Sequence, residues 1–258
     1  MTDNNIIELK GVSKSFNSHR ILKNLSLSVK RGSTLVVIGR SGCGKSVMLK
    51  HIVRLIRPDS GNVFIDGQDI WELKDKDIFT LRKRMNMVFQ GGALFDSLSV
   101  GENVGFELIE HTNVSESELW DRVEESLSLV GLSGISNLNP SELSGGMKKR
   151  VALARAICTN PEILLYDEPT TGVDPITADN INELIVSLHD KLKVTSIVVT
   201  HDMKSAYKIA DRIAMLYQGQ IIAEGTPSEI QNTDHPIVHQ FINGLAQGPI
   251  TETAEHFR

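Results

Sequence analysis

"STLVVIGRSGCGKSVMLKHIVRLI", Ser33 to Ile56, is the stretch that decides the fold. It opens on a nearly unbroken apolar run, "STLVVIG", the pattern of a strand buried on both faces of a parallel sheet. It closes on "SVMLKHIVRLI", which has helical spacing and is expected to stop at Pro58. Between the two, Gly39 to Ser46 reads "GRSGCGKS", a full match to G-x-x-x-x-G-K-[S/T] in the strand-then-helix setting that the pattern requires. Glycines there let backbone amides curl around a β-phosphate, and the helix N-terminus adds the positive end of its dipole. Lys45 is placed to reach β- and γ-phosphates, and the Ser46 hydroxyl to ligate Mg²⁺.

Downstream, "EILLYDE" and "TSIVVTHD" read as two more buried strands. Between them "PITADNINELIVSLHDKL" has helical spacing and begins on proline, a favoured first-turn residue. Buried strands alternating with helices imply an α/β fold with right-handed crossovers. "EILLYDE" carries Asp167 to the edge of such a sheet where ligands bind. There Asp167 is expected to hold Mg²⁺ through water, and Glu168 to orient and deprotonate an attacking water. His201, ending the later strand, is a candidate γ-phosphate sensor. Gln90, ending "MNMVFQ", is a candidate for reaching Mg²⁺ or the water.

Upstream, "IIELKGVSKSF" and "NVFIDG" read as short strands flanking "ILKNLSLSV", an N-terminal antiparallel β subdomain. From about residue 91 to 160 the strand signal disappears, and "ESELWDRVEESLSLVGL" places Leu119, Val123, Leu127 and Val130 on one helical face. This stretch is expected to be a helical subdomain inserted into the α/β core. "RIAMLYQGQIIAEG" reads as two strands joined at Gln-Gly, and "TPSEI" as a helix start. The expected organisation is an ATPase domain over residues 1–225 and a C-terminal extension over 226–258, polar by "TETAEHFR".

A chain of 258 residues with 40% hydrophobic and 23% charged side chains is ordinary for a globular protein. A net charge of −5 argues against a general nucleic-acid binder, so no nucleic acid is expected as a partner. The two cysteines, Cys43 and Cys158, give no disulfide pattern and fit a reducing cytosol. The opening "MTDNNIIELK" lacks the form of a signal peptide, and no apolar run approaches the ~20 residues of a membrane helix. A soluble chain is expected, with any membrane role supplied by a partner.

"ELSGGMKKRVALARA", Glu142 to Ala156, is a second anion nest feeding a strong helix former, without a lysine of its own to match Lys45. Such a nest has no use in cis. It makes sense if Ser144, Gly145 and Gly146 close over the γ-phosphate held by another copy, so that a two-fold homodimer buries two ATP molecules. Hydrolysis then removes the contact that holds the pair shut.

In order along the chain, "GRSGCGKS", Gln90, "LSGGM", "ILLYDE", "GVDP" and His201 resemble the motif set of the ATP-binding subunit of ABC transporters, over nearly the whole sequence. The resemblance implies a P-loop ATPase that uses ATP and Mg²⁺. Its nucleotide site would comprise Phe16, stacking on adenine, with Gly39, Arg40, Ser41, Gly42, Cys43, Gly44, Lys45, Ser46 and Val47. Ser144, Gly145, Gly146 and Asp174 would belong to it too, Asp174 running along the dimer seam. The catalytic set would be Glu168, His201, Gln90 and Lys45, and the metal set Ser46, Gln90 and Asp167. Two positions depart from the usual pattern. Met147 stands where most members have glutamine, and Phe16 replaces the usual tyrosine.

"QGGALFDSLSVGENV", "ELSGGMKKR" and "QFINGLAQGP" together are similar to the ATPases of Mla-type, MCE-associated phospholipid transporters. That likeness implies integral-membrane permease subunits, an MCE-type lipid-binding protein and a small accessory protein as partners, with phospholipid as cargo. It places the chain on the cytoplasmic face of the inner membrane, serving outer-membrane lipid asymmetry. Leu94 and Phe95, after Gln90, are the expected docking surface for the permease. The alternatives are an ABC transporter for an amino acid, osmolyte or ion, and a soluble ABC protein acting on DNA or ribosomes. A P-loop kinase leaves "LSGG" and His201 without a role.

Overall fold

The computed structural model describes residues 4–255, apart from the side chains of Asp75, Thr253, Ala254 and Glu255. The last three residues of the polar tail, His256 to Arg258, lie outside the described residues. In chain order the first elements are β1 (Asn5–Phe16), β2 (His19–Lys30), β3 (Thr34–Ile38), α1 (Lys45–Ile52), β4 (Ser60–Ile65) and β5 (Gln68–Asp69). There follow α2 (Asp75–Arg82), β6 (Met85–Val88), α3 (Val100–His111), α4 (Glu116–Leu129), a single 3₁₀ turn (Pro140–Glu142), α5 (Gly145–Ile157) and β7 (Ile163–Asp167). The remainder are α6 (Pro175–Leu192), β8 (Thr195–Thr200), α7 (Met203–Ile209), β9 (Arg212–Tyr217), β10 (Gln220–Gly225), α8 (Pro227–Gln231), α9 (Pro236–Ile242) and α10 (Pro249–Glu255).

The chain divides into two compact units, one made of residues 1–29, 34–71 and 199–258, the other of residues 30–33 and 72–198. The first holds an antiparallel sheet in the order β2-β1-β4-β5 and the strand order β10-β9-β3. In the antiparallel sheet Ile7 pairs with Ile65 and Leu9 with Val63, and the register shifts between Lys10 and Ser13. β1 and β2 run twelve residues each, longer than the short strands their turn residues imply. β3 is buried at every position and runs parallel to β9, with Val36 beside Ile213 and Ile38 beside Met215. Gln218 and Gly219 link β9 to β10 with φ of 47° and 83°, the paired positive values of a tight hairpin turn.

α1 differs from the expected helix over 46–56. It ends at Ile52, because the amides of Leu55 and Ile56 both turn back to the Lys50 carbonyl and Arg54 takes a left-handed φ of 56°. Nδ1 of the buried His51 side chain donates to the Ile56 carbonyl and completes this stop.

The second unit pairs β6 in parallel with β7, Met87 lying beside Leu165. Between residues 91 and 160 it contains α3, α4, the 3₁₀ turn and α5. α3 opens on a capping box in which Ser99 and Glu102 exchange hydrogen bonds with each other's backbone amides. Val123 and Leu127 of α4 are fully buried, as is Val130 just after it. α6 covers the span expected from its spacing. Asp174 caps its start, Pro175 fills the first turn, and Lys193 closes it at φ 54°.

Candidate functional site

In the first unit, β3 delivers the chain to the glycine-rich turn. A Cβ on Gly39 would stand 2.4 Å from the Leu216 carbonyl oxygen of β9, so the turn begins where only glycine fits. Gly44 caps α1 at φ 109°, a conformation L side chains avoid, and the helix has no acidic residue in its first turn. Lys45 is 5% exposed and curls back, its ammonium donating to the carbonyls of Gly39 at 2.8 Å and Arg40 at 3.2 Å. The cation is thereby held at the rim of the same loop whose amides open the helix. This is an anion cradle, and a triphosphate fits its donor set.

Two further candidates belong to this unit. Phe16, at the end of β1, is 42% exposed, and the Lys14 ammonium lies 5.5 Å from its ring centroid. His201 follows the buried end of β8. Asp202 then caps α7, accepting from the amides of Lys204 at 3.0 Å and Ser205 at 3.2 Å. The backbone is therefore fixed on both sides of an exposed imidazole.

In the second unit β7 is buried along its length and ends on Asp167, followed by Glu168 at 9% exposure. Glu168 has a left-handed φ of 49°, a conformation that costs about 1–3 kcal/mol in a non-glycine residue and gathers at functional sites. The Thr171 hydroxyl donates to its carboxylate at 3.2 Å, and the Thr171 amide to its carbonyl at 3.2 Å. The carboxylate is aimed by its own turn.

Ser144 caps α5, its hydroxyl accepting from the Met147 amide at 3.3 Å. Asp174 caps α6, accepting from the amides of Ile176 and Thr177 at 3.0 Å each and from the Thr177 hydroxyl at 2.5 Å. Those bonds, the Thr177 hydroxyl first, hold the Asp174 carboxyl below the usual carboxylate range. A Cβ on Gly146 would stand 2.7 Å from the Thr177 methyl. The openings of α5 and α6 are therefore in contact, which brings Gly146 and Asp174 into one patch.

Sequence reasoning missed the anchors of the Gln90 segment. Gln90 is exposed, yet its carbonyl accepts from the buried Lys149 ammonium of α5. Arg155, two turns further along α5, donates to the carbonyls of Gly92 and Ala93 at 2.8 Å each. Burial lowers the pKa of both cations from their ordinary values, opposed by the Glu168 carboxylate for Lys149 and by Glu107 for Arg155. Beyond Ala93, the buried Asn103 amide bonds the backbone of Phe95, Leu98 and Ser99. Phe95 packs on Phe106, ring centroids 4.6 Å apart, and remains 43% exposed, with Leu94 half-buried beside it.

A buried strand feeding a phosphate cradle, and a buried strand ending on Asp167 with Glu168 aimed by the turn after it, define a P-loop nucleoside triphosphatase. The family model described as ABC transporter matches residues 22–171, and the chain belongs to that family. It is an ATP-hydrolysing subunit of the ABC type. Over 249 residues, 96% of this chain and 72% of the other, it is 41% identical to the "Probable ribonucleotide transport ATP-binding protein mkl" of Mycobacterium leprae. Over 246 residues, 95% of this chain and 93% of the other, it is 42% identical to the "Intermembrane phospholipid transport system ATP-binding protein MlaF" of Haemophilus influenzae. Among solved structures it resembles the dimeric post-hydrolysis state of the ATP-binding cassette MJ0796 bound to ADP and Pi, at TM-score 0.78 and 35% identity. That likeness covers 86% of this chain and 98% of that one.

Proposed function

We propose that the chain energises phospholipid transport across a cell envelope as one of two identical ATPase subunits on the cytoplasmic face of the inner membrane. Among the described residues no helix is long and apolar enough to cross a membrane, so the lipid path is assigned to permease subunits, with an MCE-type lipid-binding protein and a small accessory protein as further partners. Phospholipid as cargo is supported by the 42% identity to a protein named for that system, which the chain covers almost end to end. The dimer is supported by likeness to a cassette described as dimeric with ADP and Pi.

The observation that carries the two-subunit reading is the second nest. Ser144 caps a thirteen-residue helix, and a Cβ on Gly145 would meet nothing of its own chain. Glycine here leaves room for something that approaches from outside. A triphosphate bound at Gly39–Ser46 of one copy, with adenine stacked on Phe16, meets Ser144, Gly145 and Gly146 of the other. Lys45 stabilises the charge on the β- and γ-phosphates. Glu168 takes the proton of the attacking water, and His201 and Gln90 read the presence of the γ-phosphate. Ser46, Gln90 and Asp167 are oxygen donors of the kind Mg²⁺ takes with retained waters, and the ion would neutralise phosphate charge there. Asp174, fixed as the α6 cap, lies beside the nest and links the two centres across the seam.

The test is purification of the native complex from membranes, with its proteins and bound lipids identified. Co-purification with a permease, an MCE-type protein and phospholipid supports the proposal. The relatives named for ribonucleotide transport favour a second reading, in which nucleotide and a different permease accompany the chain.

A further inference from the structure

We propose that Lys149 is a positioning residue for Gln90, with Arg155 as its second anchor, so that α5 carries the nest at its tip and the Gln90 segment along its side as one piece. The inference rests on the two-subunit reading above. α5 begins at Gly145, directly after the capping Ser144. One turn in, Lys149 reaches the Gln90 carbonyl, and further on Arg155 reaches those of Gly92 and Ala93. Three carbonyls of a four-residue stretch are thus taken by two cations of a single helix.

The loop and the helix also approach each other at Gly92. A Cβ on Gly92 would lie 3.6 Å from both the Ala152 Cβ and the Lys148 carbonyl, so this loop lies directly on the helix. Ala93 is held at a left-handed φ of 48°, and its carbonyl is one of those Arg155 takes. β6 delivers the chain to Gln90, and the two α5 cations then fix the backbone from Gln90 to Ala93. Lys149 also feels the Glu168 carboxylate, so the ammonium that holds the Gln90 carbonyl is electrostatically coupled to the proposed base.

The functional consequence is that closure of the nest on a neighbour's triphosphate and placement of Gln90 are a single event. A cation that anchors a loop rather than touching nucleotide must act on turnover and spare affinity. It must also act through the side chain it positions.

The experiment is steady-state ATPase kinetics of the full-length chain as Lys149→Met, Lys149→Arg, Gln90→Ala and the Lys149→Met/Gln90→Ala pair. Lys149→Met is expected to lower kcat about tenfold with KM for ATP within about twofold, as loss of an interaction made only in the transition state does. Lys149→Arg, which keeps a cation within reach, is expected to restore kcat to within about threefold. In the Gln90→Ala background Lys149→Met is expected to add nothing, because the side chain it positions is gone. An unchanged kcat in Lys149→Met, no rescue by arginine, or full additivity with Gln90→Ala would each overturn the inference. ATP-dependent dimerisation of Glu168→Gln, by size-exclusion chromatography, tests the two-subunit reading separately. If that dimer fails to form while the kinetic pattern holds, the reading is lost and the local role of Lys149 stands.

Discussion

The two glycine-rich turns, Gly39–Ser46 and Ser144–Gly146, each open a helix and are built for different tasks. The first is stressed and self-sufficient. Gly44 sits at φ 109°, a Cβ on Gly39 would collide with β9, and Lys45 is folded into the loop mouth. The second is relaxed. Ser144 makes an ordinary cap, and neither Gly145 nor Gly146 takes a left-handed backbone. Its nearby lysine is turned away to Gln90. Glycine in the first turn answers to the fold; Gly145 in the second answers, in the proposed dimer, to a visitor.

The sharpest way to break this contrast leaves both turns intact. Glu168→Gln is expected to lower ATPase turnover by about 10²–10⁴-fold while ATP binding persists, measured by single-turnover hydrolysis and nucleotide titration. Retained turnover would remove Glu168 as the base. Next comes complementation. Lys45→Ala spoils the first turn and Ser144→Arg the second, so each variant alone is expected to be inactive. Mixed in equal amounts, half the dimers pair one of each and keep one good centre of two, giving about a quarter of wild-type activity if centres act independently. No recovery on mixing would confine both turns to one chain.

Alanine then separates the two kinds of glycine. Gly44→Ala forces a side chain into a left-handed backbone, with Leu22 2.9 Å and Ile21 3.0 Å from the new Cβ. We expect a loss of about 1–3 kcal/mol in denaturant unfolding. Gly145→Ala is expected to change stability by less than about 0.5 kcal/mol yet to lower turnover about tenfold, since its methyl fills only the approach to the nest. The smallest effect concerns His51 in α1. Burial lowers its pKa from the ordinary 6.5, with Lys14 lowering it further and the Ile56 carbonyl and Asp59 opposing. The unfolded chain then binds the proton more readily, so stability is full above about pH 6.5 and declines as pH falls from there toward the folded value. Thermal midpoints between pH 7.5 and 5.5 are expected to fall more steeply for wild type than for His51→Gln.

Where structure follows from contiguous residues, the sequence was legible. β3 with its phosphate turn, β7 with Asp167 and Glu168, the β9–β10 hairpin and both ends of α6 all rest on local apolar runs, proline and turn chemistry. The stop of α1 was not, because the apolar pattern of "HIVRLI" continues past Ile52 while the His51 bond to the Ile56 carbonyl breaks the helix. α2 and α7 are eight and seven residues long, too short for a periodic signal. Lys149 and Arg155 were invisible for a different reason. Their partners lie 59 to 63 residues away in sequence, and a lysine pair after "SGGM" reads as a solvated face until the fold brings Gln90 to it.

Gly44 also touches something that gives the first turn a further consequence. The two side chains nearest to it, Ile21 and Leu22, belong to β2, the strand joined through Asn17 and Ser18 to the one that ends on Phe16. The span from aromatic ring to phosphate turn is therefore set by a few residues of sheet and not by a pliable arm. The chain carries a ruler for its fuel. With Phe16 stacking the base as proposed, a ligand that ends at the ribose, or bare pyrophosphate, can satisfy one end of that ruler and never both.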